Sequence, residues 1–294
     1  MSAEPSRRAG GVFFAALMPH APILIPDVGR EAPKPAAASV DALKNVAARL
    51  ANRPLDAVVV ISPHSPRRLG TFGVWSGSRL CGNFAQFGAP QAAVDLPNDT
   101  AFAAELKLQA RQVGLQTWEI PVQTLDYGAL VPLWYLVNAG WGRPAAVLSL
   151  RRPGERGLGQ LGRAIMGAAA KVGERIAVIA SGDMSHRLTP NAPAGYDPRA
   201  RDFDRRFIAC LRRGAYHDLE RFDPELQDLA GEDVLDSTIV ALAAVSWETT
   251  GHEVLSYEGP FGVGYGVAVL FDSTIPATCL ENGSSAASRC RKAS

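Results

Sequence analysis

Short runs made almost entirely of apolar residues recur along the chain, and polar residues follow each of them within a few positions. The clearest of these runs are residues 12–17, 56–62, 145–150 and 176–181. Runs of this length without polar alternation are typical of strands that are buried on both faces of a sheet. Apolar residues with helical spacing lie between them, at residues 40–50 and 158–171. Strands that alternate with helices predict an α/β fold, with a largely parallel or mixed central sheet flanked by helices on both faces.

The remaining sequence predicts that this sheet belongs to a single domain at residues 11–272. Its later elements are predicted as a helix that follows residue 196, a helix at residues 232–245, and strands at residues 254–257 and 266–271. Residues 1–10 are polar and are predicted to be flexible. Residues 273–294 are rich in Ser, Ala and basic residues and are predicted to form a disordered tail.

Composition excludes several classes of partner. The 30 Lys and Arg residues balance 29 Asp and Glu residues and are scattered, so neither nucleic acid nor an anionic membrane is expected as a partner. No apolar stretch approaches the roughly 18 residues of a membrane span. The 4 cysteines contain no Cys-x-x-Cys pair, which argues against a disulfide framework or a zinc cluster. We therefore expect a soluble, cytoplasmic protein.

The chemistry-bearing residues that the pattern singles out are histidines. Of the 5 histidines, His20, His64 and His186 each follow an apolar run. Ligands of open parallel sheets bind beyond the carboxyl ends of the strands, so these three are expected to converge on one crevice. Prolines flank His20 and His64 closely on both sides and restrict their backbones. His217 and His252 lie in a predicted helix end and a predicted turn, and neither is a candidate.

Two neutral imidazoles and one carboxylate form the facial triad of non-haem iron(II) oxygenases, which leaves coordination positions open for substrate and dioxygen. The carboxylate must come from elsewhere in the chain. From the sequence pattern alone, the candidates are Asp126, Asp183, Glu232 and Asp233.

Three short motifs resemble those of class III extradiol ring-cleaving dioxygenases, the protocatechuate 4,5-dioxygenase kind, in their catalytic subunit. They are Met-Pro-His20-Ala-Pro, Ser-Pro-His64-Ser-Pro and Gly-Asp-Met-Ser-His186. Their order and spacing match that family from about residue 12 to residue 271. The resemblance implies Fe(II) as cofactor and the insertion of O2 into a catechol- or aminophenol-type ring. It also implies a homo-oligomer such as a dimer, with a small second subunit in some members.

The resemblance also implies roles for individual residues. In the family, two early histidines and a late glutamate that begins a helix bind the iron. They match His20, His64 and Glu232, with the neighbouring Asp233 as the rival to Glu232. A third family histidine is an acid–base residue that does not bind the metal, and it matches His186. Asp183 is then expected either to orient His186 or to cap the following turn.

One position departs from the family pattern. Many members have Asp-His-Gly before a Val-Pro-Leu segment, whereas this chain has Asp126-Tyr127-Gly128 there. Tyr127 still donates a hydrogen bond, but a phenol with a pKa near 10 is a poor proton shuttle at neutral pH. We expect Tyr127 to face the substrate or, alternatively, to pack against Trp134.

Two other functions fit the same ligand types. Memo-like proteins share the fold, act partly through binding and typically have a cysteine where the dioxygenases have the glutamate. Here Cys210 and Cys279 lie far from Glu232 in the sequence, which favours the dioxygenase. A zinc hydrolase also uses three protein ligands and one open position.

Overall fold

The central sheet forms from the apolar runs identified above. The protein is described by a computed structural model that covers residues 9–30, 34–152 and 154–274. Most of the predicted flexible segment 1–10 and of the predicted tail 273–294 lies outside the described residues. Within them, the strands are β1 (Gly11–Met18), β2 (Ala57–Ser62), β3 (Thr71–Trp75), β4 (Arg79–Phe84), β5 (Ala89–Pro97), β6 (Gln116–Ile120), β7 (Ala145–Ser149), β8 (Arg175–Ser181), β9 (Glu253–Glu258) and β10 (Tyr265–Asp272).

The α-helices are concentrated in the connections between strands, where the spacing of apolar residues changes. In the described part of the chain they are α1 (Pro26–Gly29), α2 (Ala37–Ala51), α3 (Thr100–Gln112), α4 (Tyr127–Asn138), α5 (Leu158–Val172), α6 (Ala200–Arg213), α7 (Pro224–Ala230) and α8 (Leu235–Ala244). Short 3-10 helices occupy Pro22–Leu24, Lys34–Ala36, Ala85–Phe87 and Tyr216–Arg221. No helix among the described residues has both the length and the apolar character that crossing a membrane requires.

The large sheet is mixed, and among the described residues it has eight strands in the order β6-β3-β7-β2-β8-β1-β10-β9. The four central strands β7, β2, β8 and β1 are parallel. Antiparallel pairing begins at β3 on one side and at β10 on the other. Strands β4 and β5 form a separate antiparallel hairpin. The predicted α/β fold with a mixed sheet is confirmed.

Both faces of the sheet are covered, as the continuous apolar runs predict. Along β1, Ala15 and Leu17 pack into one apolar core with α3, α5, α6 and α8. Phe14 and Ala16 point to the other face and pack with α2, α4 and the β4–β5 hairpin. Alternate side chains of a strand point to opposite faces, so a strand between two cores must be apolar throughout.

The parallel pairing brings three strand ends to one edge of the sheet. Met18 is level with Ser181, and Ile61 is level with Ala180, so β1, β2 and β8 end side by side. The segments that begin after them carry His20, His64 and His186. This edge is therefore where the candidate site forms.

Candidate metal centre

His20, His64 and Asp233 converge beyond the ends of β1 and β2. The Nε2 atoms of the two histidines are 3.0 Å apart. Asp233 Oδ2 lies 3.0 Å from His64 Nε2 and 3.3 Å from His20 Nε2. These residues form the cluster of possible metal ligands found among the described residues. The structure thus brings together two of the predicted ligands, and the carboxylate beside them is that of Asp233.

The spacing of these three atoms suits a shared metal ion. First-row metal ions bind such ligands at about 2.1 Å, so ligand atoms at right angles lie about 3.0 Å apart and ligand atoms at tetrahedral angles about 3.4 Å apart. Both edges of the triangle that meet at His64 have the right-angle length. Two imidazoles and one carboxylate on a single face are the donor set of a facial triad.

The tautomer of His20 is set by a serine at the end of β8. Ser181 Oγ donates its hydrogen to the backbone oxygen of Gly128, 2.5 Å away. Because that hydrogen is used, Ser181 accepts from His20 Nδ1, at 3.0 Å. In the neutral ring, Nδ1 therefore carries the hydrogen, which leaves the Nε2 lone pair facing His64 and Asp233. A second hydrogen bond of this kind is what orients histidine ligands in metal sites.

His64 is held by Tyr127, the residue that departs from the family pattern. The hydroxyl of Tyr127 lies 3.1 Å from His64 Nδ1, and the ring centroids are 4.2 Å apart. A bare His64 Nε2 requires the hydrogen on Nδ1, which then donates to the Tyr127 oxygen. The alternative of packing against Trp134 does not describe the ring's position, because Tyr127 packs against His64, His20 and Phe87.

Asp233 is positioned by backbone pairing between two loops. The backbone N–H of Asp233 donates to the backbone oxygen of Asp183, at 3.2 Å. In return, the N–H of Asp183 donates to Asp233 Oδ1, at 2.7 Å, which leaves Oδ2 facing the histidines. Gly182 permits this approach, because a Cβ there would lie 2.4 Å from the Cα of Val234.

Glu232, which the sequence predicts as a ligand, lies outside the cluster of His20, His64 and Asp233. Its Oε2 accepts from the N–H groups of Val234 and Leu235, at 2.6 and 2.8 Å, and Oε1 accepts from Gln227. The carboxylate therefore closes the turn that leads into α8, and that helix begins at Leu235. Burial raises the pKa of Glu232 to about 8.

The electrostatics of the cluster favour a bound cation. Burial alone lowers the pKa of His20, but the charges of Asp183 and Asp233 outweigh it and raise that pKa to about 9. Burial raises the pKa of Asp233, but the two histidines outweigh it and hold that pKa far below its usual range. Both histidines thus lie in a field that attracts positive charge.

The carboxylate of Asp183 is hydrogen-bonded to the backbone of His20. Its Oδ1 accepts from the backbone N–H of His20, at 2.9 Å, and its side chain is almost fully buried. No hydrogen bond joins its carboxylate to His186 within the described residues. In the structure, Asp183 supports His20 through its carboxylate and Asp233 through its backbone.

His186 is anchored through its backbone and keeps a free ring nitrogen. Its N–H donates to the backbone oxygen of Ala230, at 2.9 Å, in the turn that leads to Asp233. Its buried Nδ1 has no hydrogen-bond partner in the described part of the chain. His186 is not one of the three clustered ligands.

The supporting roles of several residues were not predicted from the sequence. Asp126 accepts from the hydroxyls of Ser62 and Ser65, at 2.6 and 2.5 Å, and caps the start of α4. Gly128 follows it because a Cβ there would lie 2.5 Å from Ser62 Oγ and 3.2 Å from His64 Cδ2. Ser62 and Ser181 are each the last residue of a buried strand, and a serine at the end of an apolar run is the sequence signal that could have identified them.

Comparison with known proteins identifies the family of this chain. The profile of one protein family, the catalytic LigB subunit of aromatic ring-opening dioxygenase, matches residues 14–268. The chain belongs to this family. The match begins within β1 and ends within β10, so the LigB family region includes His20, His64, Asp233 and the sheet that positions them.

Two relatives of this LigB family member are similar to it over part of their length. Protein CA_C1420 of Clostridium acetobutylicum is 28% identical over 265 residues, which cover 86% of this chain and 56% of the relative. The 3,4-dihydroxyphenylacetate 2,3-dioxygenase of Escherichia coli is 27% identical over 145 residues, or 47% of this chain and 52% of that enzyme. The matched region thus spans about half the length of each of these relatives.

A solved structure shares the fold. The crystal structure of the uncharacterized protein JW3007 from Escherichia coli K12 aligns with a TM-score of 0.58 and 16% sequence identity. The alignment covers 87% of this chain and 98% of that protein. At this sequence identity, the likeness supports the fold of the LigB family member alone.

Proposed function

We propose that this protein is a non-haem Fe(II)-dependent extradiol dioxygenase that inserts both atoms of O2 into a catechol- or aminophenol-type ring. The observation that carries the proposal is the triangle of His20 Nε2, His64 Nε2 and Asp233 Oδ2 in a member of the LigB family. The relative named as a 3,4-dihydroxyphenylacetate 2,3-dioxygenase supports a catechol as the substrate class.

In this proposal His20, His64 and Asp233 hold the iron. Bound Fe(II) supplies open coordination positions at which a substrate and dioxygen meet. Asp233 replaces Glu232 in the ligand set because the Glu232 carboxylate is engaged by Val234 and Leu235.

His186 is proposed as the acid–base residue. A catechol loses a proton when it binds a metal, and an imidazole titrates in the useful range. The free Nδ1 of His186 and its attachment to the loop before Asp233 suit a group that accepts this proton and returns it during ring opening.

Tyr127 is proposed to position His64 and to bound the substrate site. Burial and the neighbouring carboxylates raise the pKa of Tyr127 to about 12, so it stays protonated at neutral pH and does not shuttle protons. Phe87 packs against it with ring centroids 6.0 Å apart and is 37% exposed. The two rings are perpendicular, so they bound the site with aromatic surface that a planar ring substrate contacts on one ring edge-to-face and on the other by stacking.

The test is reconstitution with Fe(II) in the absence of oxygen, followed by catechols and aminophenols in air. We expect oxygen uptake together with a yellow ring-opened product. The variant His186→Ala should retain iron and lose turnover, whereas His217→Ala, at an exposed ring that stacks on Trp247, should match the wild type.

Other outcomes separate the rival functions. Tight iron binding with no oxygen uptake on any substrate would contradict the dioxygenase and favour a Memo-like binding protein. Hydrolytic activity that zinc restores and iron does not would favour a zinc hydrolase. Unchanged turnover in His186→Ala would remove its acid–base role while leaving the metal centre intact.

A further inference from the structure

A cavity of about 660 Å³ opens along α6, and no residue that lines it belongs to the candidate metal centre. Its lining combines two chemistries. Four arginines contribute positive charge, namely Arg201, Arg205, Arg212 and Arg213. Leu188, Ile208 and Tyr257 contribute apolar surface. Cavities that hold small molecules are typically of this volume and combine apolar walls with a few charged groups.

The positive charge of this cavity is largely uncompensated. Arg205 pairs with Asp202 at 2.6 Å, but neither Arg201 nor Arg212 forms an ion pair within the described residues. The acidic residue in the lining, Asp204, is fully buried. Both of its oxygens are engaged, because Oδ1 accepts from the backbone N–H of Ser185 and Oδ2 from Tyr257. Asp204 therefore forms no ion pair with Arg201 or Arg212, which remain available to a ligand.

The apolar side of the cavity is rigid. Leu188 and Ile208 are each 4% exposed, so they are fixed by the core and present only a small surface. Gly259 packs closely on Leu188, since a Cβ at Gly259 would lie 2.6 Å from Leu188 Cδ1. The hydroxyl of Tyr257 is held by Asp204 at 2.7 Å, which fixes its ring beside these side chains. A preformed wall of this kind favours a ligand with an apolar body.

We propose that this cavity binds an organic anion with an apolar body, such as an aromatic ring or a short acyl chain that carries a carboxylate or a phosphate. The apolar part lies against Leu188, Ile208 and Tyr257. The anionic group is bound by Arg201 and Arg212, whose planar guanidinium groups match carboxylate and phosphate oxygens. The concave shape favours a small molecule over an extended polyanion.

The test is a fluorescence titration of the metal-loaded protein with 1-anilinonaphthalene-8-sulfonate, an aromatic anion. We expect saturable binding of one equivalent. The variants Arg201→Glu and Arg212→Glu should each weaken it about tenfold, the effect of losing one charged hydrogen bond. Arg206→Glu is the matched control, because Arg206 is exposed on the same helix and does not line this cavity. It should change the affinity less than about twofold.

Competition experiments with small anions show which anionic group of a ligand the cavity prefers. Benzoate and phenyl phosphate should both displace the probe, and the stronger competitor shows whether a carboxylate or a phosphate is preferred. Inorganic phosphate alone should compete much more weakly than phenyl phosphate. The proposal would be overturned if no saturable binding is seen, or if Arg206→Glu weakens probe binding as much as Arg201→Glu does. It would also be overturned if single-stranded RNA displaces the probe and Arg206→Glu weakens this RNA binding as strongly as Arg201→Glu does. Circular dichroism of each variant confirms that it is folded.

Discussion

At the scale of single residues, Ser181 determines which nitrogen of His20 is available to a metal ion. The serine has one hydrogen, and the backbone oxygen of Gly128 takes it. The remaining lone pairs of Ser181 accept from His20 Nδ1, so the bare Nε2 faces Asp233. Without that acceptor, the ring of His20 loses the partner that fixes both its tautomer and its orientation.

The variant Ser181→Ala tests this role. We expect the affinity for Fe(II), or for Co(II) as a spectroscopic probe, to fall about 10- to 100-fold, the usual effect of losing a hydrogen bond to a metal-binding histidine. Ser149→Ala is the matched control. Ser149 also ends a buried parallel strand, but its hydroxyl accepts from the backbone of Gly73. Its loss should lower stability and leave metal affinity unchanged, and equal affinities in the two variants would contradict the role of Ser181.

The sequence distinguishes the two histidines better than it distinguishes the carboxylate. His20 and His64 each follow an apolar run and are closely bracketed by prolines, so both their location and their restricted backbone are visible in the sequence. Glu232 and Asp233 are neighbours in a turn after Gly231, which has a φ of 62°. Which of the two points at the histidines depends on that turn and on pairing with Asp183, and neither is encoded in local spacing.

At the scale of elements, two loops form the candidate site by pairing with each other. The loop after β8 bonds through Asp183 to Asp233, and through His186 to Ala230. The same loop contains Gly182, and the backbone of Val234 lies too close to this position for a side chain to fit. The position of Asp233 therefore depends on how closely these two loops approach.

Gly182→Ala should separate the two loops. The added Cβ would lie 2.4 Å from the Cα of Val234, and neither backbone moves without disturbing the bonds between Asp183 and Asp233. We expect a loss of stability of about 1–3 kcal/mol, typical of overpacking, together with weaker metal binding. Gly142→Ala, where no atom lies within 4 Å of the added Cβ, is the control for both measurements. Wild-type metal affinity in Gly182→Ala would contradict the dependence on loop approach.

The elements predicted correctly from sequence are those whose apolar pattern is uninterrupted. Strands β1, β2, β7 and β8 lie between two cores, and their runs of apolar residues record this directly. Strand β6 has exposed and partly buried positions, and its sequence has no such run. Helix α4 begins at Tyr127 and contains Pro132, which masks its helical pattern. The reversal of direction between β7 and β3 depends on contacts far apart in the chain.

At the scale of the whole molecule, one buried carboxyl group links stability to pH. Asp204 is fully buried in the core between the sheet and α6, where burial raises its pKa from 3.8 to about 6 although Tyr257 and Ser185 donate to it. The folded protein therefore holds this proton more tightly than the unfolded chain does. Its contribution to stability is fully present below pH 3.8 and is lost as the pH rises through 6.

Asp204→Asn should remove this dependence, because the amide accepts from Ser185 and donates to the Tyr257 oxygen without ionising. Between pH 4 and pH 7, the free energy of unfolding of the wild type should fall relative to the variant by roughly 2–3 kcal/mol. Urea unfolding of both proteins at several pH values measures the difference, in which the other titrating groups cancel. A difference that is constant with pH, or that changes in the opposite direction, would contradict the assignment.

The iron content of two variants at neighbouring positions tests whether His20, His64 and Asp233 hold iron in this LigB family member. Asp233→Ala removes a proposed ligand, whereas Glu232→Gln keeps an acceptor for the N–H groups of Val234 and Leu235. After anaerobic reconstitution with Fe(II) and desalting, we expect iron at wild-type level in Glu232→Gln and little iron in Asp233→Ala. Iron retained in Asp233→Ala and lost from Glu232→Gln would contradict this ligand set.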